Sequence, residues 1–208
     1  MVRREKLPEG AEEQRNTYHH GDLKRALTEA ALGLVAEKGP KGFTLREVAR
    51  RAGVSPAAPY RHFSDKAQLV AAVATAGFIQ LHEALVAVVE SDLIRQTLEM
   101  GRAYVGWAVT HPDYYQVMFG AELDKVNNPD LLIAGERAFG DLLDTIVACQ
   151  RASLLPEGDP REIAAPTWSL IHGIATLAIG SDFAHVGITE DPKDLAERAL
   201  TGLLFRGR

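Results

Sequence analysis

The chain has 208 residues, 46% of them apolar and 25% charged, an ordinary globular composition with material for one large or two small cores. Its net charge of −5 is unevenly spread: residues 1–66 hold 13 Lys/Arg against 9 Asp/Glu, while residues 67–208 hold 10 against 19. A head of charge +4 thus precedes a body of charge −9, the asymmetry expected of a head that meets a polyanion. Cys149, the single cysteine, excludes an intrachain disulfide or a cysteine metal cluster and fits a reducing, cytoplasmic setting. The start MVRREKLPEGAEEQ has no apolar core, so no signal peptide is expected, and no run approaches the ~18 apolar residues of a membrane span.

In chain order, residues 1–17 are polar and mixed in charge and predict a disordered arm. A first helix is predicted from about Asp22 to Lys38. Leu23, Leu27, Ala30 and Leu34 form its buried stripe, and Gly39 ends it. Thr44 with Glu47 makes a capping box, and Leu45, Val48, Ala49 and Ala52 share a face of the helix it opens. Gly53 suits a left-handed helix end, Ser55 a second N-cap and Pro56 a first helical position. The spacing predicts a helix-turn-helix over 44–63 whose second helix is 55–62, with Pro59 at the margin of tolerance. Its exposed face would offer Ser55, Pro56, Ala57, Ala58, Tyr60, Arg61 and His62. Spacing alone leaves open a helical hairpin in a larger bundle.

Ser64 is the expected cap of a long helix running to about Glu90. Lys66 in its first turn opposes the helix dipole, which a DNA phosphate or plain solvation would explain. The body carries no strand alternation. It predicts helices at 94–110 and 113–119, then at about 129–152, 160–180 and 192–205. The last three each open with Asn or Asp before proline. Pro166 should bend the helix at 160–180 or delay its start. Two segments stand out. Residues 103–120 hold Trp107, His111, Tyr114, Tyr115 and Phe119, a set able to line a mostly apolar pocket or to form core. Residues 167–180 are apolar on nearly every face, with Trp168 and His172 one turn apart; both are expected to join the same pocket, His172 either orienting a ligand there or standing as a hydrogen-bonded core histidine.

No metal-ligand spacing, nucleophile elbow or phosphate loop is present, so no catalytic residue, metal or cofactor is expected.

Three pieces, HGDLKRALTEAALGLVAEKG (20–39), FTLREVARRAGVS (43–55) and YRHFSDKAQL (60–69), together resemble the N-terminal domain of TetR/AcrR-type transcriptional regulators. The W-x-x-x-H-G pattern at 168–173, with segment 103–120, resembles the C-terminal WHG domain of a subset of that family. The resemblance implies an all-α fold of about nine helices, with a helix-turn-helix DNA-binding domain at 18–66 and a regulatory, dimerising helical domain at 67–208. It further implies a cytoplasmic, non-enzymatic repressor released from a pseudo-palindromic double-stranded DNA operator by a small apolar or aromatic ligand. The DNA-facing residues would be Thr44, Arg46, Ser55, Pro56, Ala57, Ala58, Tyr60, Arg61, His62 and Lys66. The dimer would form through 160–180 and 192–205. An activator, a ligand-independent DNA binder, a helical enzyme and a protein-binding module remain the alternatives.

Overall fold

The computed structural model of the chain describes residues 10–120, 123 and 127–206, with side chains from Leu23 onward. Among these residues the regular structure is entirely helical, as expected. The chain divides into two compact units, Met1–Val73 and Ala74–Arg208, the division falling inside one helix.

The first unit holds α1 (Gly10–Lys38), α2 (Leu45–Arg51), a 3-10 turn (Pro59–Arg61) and the start of α3 (Lys66–Val86). α1 begins well before the expected Asp22, so the predicted arm is helical from Gly10, while residues 1–9 lie outside the described residues. Ala11, Glu12, Glu13, Gln14 and Arg15 are good helix formers, and their propensity extends the helix past its buried stripe. Leu27, Ala30 and Leu34 of that stripe are buried, together with Val48 and Ala49 of α2 and Phe43, Phe63 and Leu69 around them. Gly53 has φ +68°, the left-handed turn that ends α2 and that side chains with a Cβ adopt at a cost.

Two local expectations need correction. Asp65, not Ser64, caps α3: its Oδ1 accepts from Gln68 N at 2.9 Å, and the Gln68 side chain accepts from Ser64 N at 2.9 Å. Residues 55–62 are not an α-helix. Ala58 N, Arg61 N and His62 N each bond the carbonyl three residues back, at 2.9, 3.2 and 3.0 Å. Pro56 and Pro59 carry no N–H to extend an α-helical ladder, and the segment tightens into a turn followed by 3-10 geometry.

The second unit continues α3 and adds α4 (Leu93–Thr110), α5 (Pro112–Met118), α6 (Pro129–Arg151), α7 (Pro160–Ile179), α8 (Asp182–His185) and α9 (Pro192–Leu204). Asp159 and Asp191 cap α7 and α9 through Arg161 N at 2.9 Å and Lys193 N at 2.8 Å; Asn128 makes no such cap on α6. α7 runs through Pro166, and the short α8 is an element that no sequence signal predicts. α4 packs against α5, α6, α7 and α9. A Cβ on Gly101 would lie 2.3 Å from Leu200 Cδ1, so the missing side chain is what lets α9 seat on α4. α3 is, by length and composition alone, a described helix able to cross a membrane, against the expectation that no stretch would qualify. Its Val73, Ala74, Phe78, Leu81 and Leu85 are instead buried in protein.

Candidate nucleic-acid interface and apolar cavity

The head is built on the predicted capping box. Glu47 N donates to Thr44 Oγ1 at 3.3 Å, and Thr44 N donates to Glu47 Oε2 at 2.9 Å. Lys38 Nζ, from the end of α1, donates to Glu47 Oε1 at 2.5 Å. That ammonium first, then the Thr44 hydroxyl and N–H, lowers the Glu47 carboxyl to about 2. A second pair, Arg51 with Glu37 at 2.7 Å, also joins α2 to α1. These bonds fix the turn that follows.

Beyond it, Ser55, Pro56, Ala57 and Arg61 are exposed, as are Thr44 and Arg46, and Tyr60 has 56% of its surface exposed. His62 is half-buried beside Phe63. Ala58 departs from expectation. It is 7% exposed, because the 3-10 turn rotates it into the core alongside the buried Pro59. Lys66 also departs. Its Nζ donates to Lys41 O at 2.8 Å and lies 4.3 Å from the centre of the Phe43 ring. The lysine that opposes the α3 dipole thus ties the α1–α2 loop to α3, by a hydrogen bond and a cation–π contact.

In the second unit a cavity of about 360 Å³ lies among α3, α4, α6, α7 and α9. Of the seven residues predicted to line a pocket, Phe119 and Trp168 do so. Trp107, His111, Tyr114, Tyr115 and His172 are not in its wall. Trp107 is buried and stacks on His111, ring centres 5.0 Å apart, with Tyr114 beside both. Tyr115 Oη lies 2.6 Å from His172 Nδ1, and burial lowers His172 from its ordinary range while raising Tyr115 and Tyr104. His172 is therefore a hydrogen-bonded histidine behind the wall, the plainer of its two sequence readings. Phe78 and Phe139 were missed, although α6 carried a signal for its share: Leu131, Gly135, Ala138, Leu142 and Thr145 recur at helical spacing and all line the cavity.

Residues 97–203 match the family model described as the Tetracyclin repressor-like C-terminal domain, and residues 27–73 match that of the tetR family of bacterial regulatory proteins. The chain belongs to the TetR family of transcriptional regulators. This is a class of DNA-binding regulators, not of enzymes, and the C-terminal match takes in both segments that carry the WHG resemblance. The solved structure of a protein with unknown function from Rhodococcus sp. RHA1 is 33% identical, with a TM-score of 0.76 over 91% of this chain and 97% of that one. PfmR, a TetR family regulator from Thermus thermophilus, shares the fold at 16% identity, with a TM-score of 0.67 over 86% of this chain and 96% of that one. An HTH-type transcriptional repressor of Mycobacterium tuberculosis is 33% identical over 96 residues, 46% of each chain. The match thus spans about half the length of that curated relative.

Proposed function

We propose that this TetR-family chain is a cytoplasmic, homodimeric repressor that binds a pseudo-palindromic DNA operator through residues 44–63 and releases it when an apolar ligand fills the cavity. The observation that carries the DNA half is the tip of the head. Ser55, Pro56, Ala57, Tyr60 and Arg61 stand exposed on a turn held by the capping box and two ion pairs. Small residues let the backbone approach a groove floor. Tyr60, His62, Thr44 and the guanidinium groups of Arg46 and Arg61 suit phosphate oxygens. Ala57 is left as the small side chain able to meet a thymine methyl. Lys66 acts here as an internal strut.

The dimer is supported by α7 and α9. Ala164, Thr167, Ile171, Ile174 and Ala175 face the core, while Trp168, Leu177 and, on α9, Leu203 remain about 40% exposed. Large apolar groups on adjacent helices fit a four-helix seam with a second copy.

Release follows if the ligand prefers a body shape that misplaces the heads. About 100-fold weaker operator binding requires ~2.7 kcal/mol of differential affinity. α3, which continues from one unit into the other and lines the cavity with Phe78, Leu81 and Leu85, is the lever. The test is fluorescence anisotropy with an operator fragment, with and without ligand. Operator binding that no cavity-filling compound weakens would favour the ligand-independent reading.

A further inference from the structure

A connected row of aromatic rings runs through the cavity wall. Phe139 and Trp168 meet edge to face with ring centres 5.9 Å apart, Trp168 and Phe119 lie 6.4 Å apart, and Phe119 and Phe78 meet edge to face at 5.6 Å. Each of these residues lines the cavity. The row leads inward, from Trp168, which is 39% exposed, to Phe78, which is 6% exposed. Gly135, inside α6, leaves the inner end of the row bare. A Cβ on Gly135 would first meet the outer edge of the Phe78 ring, 3.9 Å from Cζ and 4.0 Å from Cε1 and Cε2, which is ordinary van der Waals contact. Gly77 and Gly101 differ: a Cβ there would run into Met118 and Leu200, so packing requires those glycines. Packing does not require a glycine at 135, and inside a helix glycine is less favourable than alanine. What the missing side chain does is keep the Phe78 ring open to the cavity.

We infer, resting on the reading of this cavity as a ligand site, that Gly135 sets its specificity and that the ligand class it admits is a flat, fused-ring aromatic compound. Filled to the roughly three-quarters density of a protein interior, a cavity of about 360 Å³ holds about 15–20 non-hydrogen atoms, roughly three or four fused rings. A flat aromatic compound offers faces and edges to successive rings of the row, and ring pairs attract one another beyond the area they bury. A saturated compound of the same skeleton buries at least as much hydrocarbon and gains none of those ring contacts. A side chain at 135 covers Phe78 and takes up the room of the innermost ring.

The test is equilibrium dialysis of the full chain against phenanthrene, perhydrophenanthrene and naphthalene, with thermal melts of each variant. Phenanthrene is expected to bind at least ~10-fold more tightly than its saturated counterpart. Gly135→Leu is expected to weaken phenanthrene by ~10-fold or more and the smaller naphthalene by less. Gly135→Ala is expected to raise the melting midpoint and to weaken phenanthrene by a lesser factor, which gives the same reading if the leucine variant does not fold. Perhydrophenanthrene binding as tightly as phenanthrene, wild-type phenanthrene affinity in the folded variants, or a midpoint lowered by Gly135→Ala overturns the inference and leaves the cavity as a ligand site. If none of the three compounds binds, the ligand reading falls and this inference with it.

Discussion

His82 Nδ1 on α3 lies 2.7 Å from Asp141 Oδ2 on α6, with 13% of each side chain exposed. The pair sits one residue from Leu81 and Leu142 in the cavity wall and fastens α3 to α6. A part-buried hydrogen-bonded pair that loses one partner leaves a partly desolvated polar group behind. Asp141→Ala is therefore expected to lower the stability of the body by about 1–2 kcal/mol, read as a shift of the urea midpoint at unchanged slope. An unchanged midpoint would mean that the pair contributes nothing to holding α3.

The capping box predicts an acid response. The folded-state pKa of Glu47 is depressed to about 2, so its contribution is fully present above the ordinary carboxylate value near 4.5 and is lost as pH falls toward about 2. Wild type should be more stable than Glu47→Gln at neutral pH, and the two should converge across that window. Thermal melts at stepped pH measure it; a difference independent of pH would remove the Lys38–Glu47 bond from the explanation.

Lys66 and Tyr60 should separate cleanly. Lys66→Met removes a hydrogen bond and a cation–π contact within the head and is expected to cost about 1 kcal/mol of stability. Tyr60→Ala should leave the melt unchanged and weaken operator and non-operator DNA alike by roughly tenfold at fixed salt. If Lys66→Met lowered DNA affinity at full stability, the strut reading would be wrong.

Gly53→Val places a β-branched residue at φ +68°, where about 1–2 kcal/mol of strain is expected. Gly101→Ala should be destabilising for a different reason, since its methyl group meets the fully buried Leu200. Chemical denaturation of both variants tests this; a neutral Gly101→Ala would show that α9 can shift on α4 at no cost.

Much of this molecule is legible in the sequence where the signal is local. The Thr44–Glu47 box, the Asp-Pro starts of α7 and α9 and the glycine turn at Gly53 each depend on a few neighbouring residues, and each stands where spacing puts it. In the recognition segment the cap and first proline fit an α-helix; the second proline, Pro59, decides instead for 3-10 geometry and turns Ala58 inward. Lys66 is ambiguous in the sequence because its partner, the Lys41 carbonyl, is a backbone atom 25 positions away. The aromatic set of 103–120 looks like one site because its members adjoin in sequence. On the helices their directions diverge: Phe119 faces the cavity, Tyr115 the His172 nitrogen behind it, and Trp107 the His111 ring.

The proposed reading of DNA by residues 44–63 is tested most directly by a quantitative footprint of the full chain on the DNA flanking its own gene, repeated over a range of salt. Two protected half-sites separated by whole helical turns, with affinity falling as salt rises and protection lost in Tyr60→Ala, are the predicted result. No protection at any site, or binding to all DNA equally and without salt dependence, would contradict it.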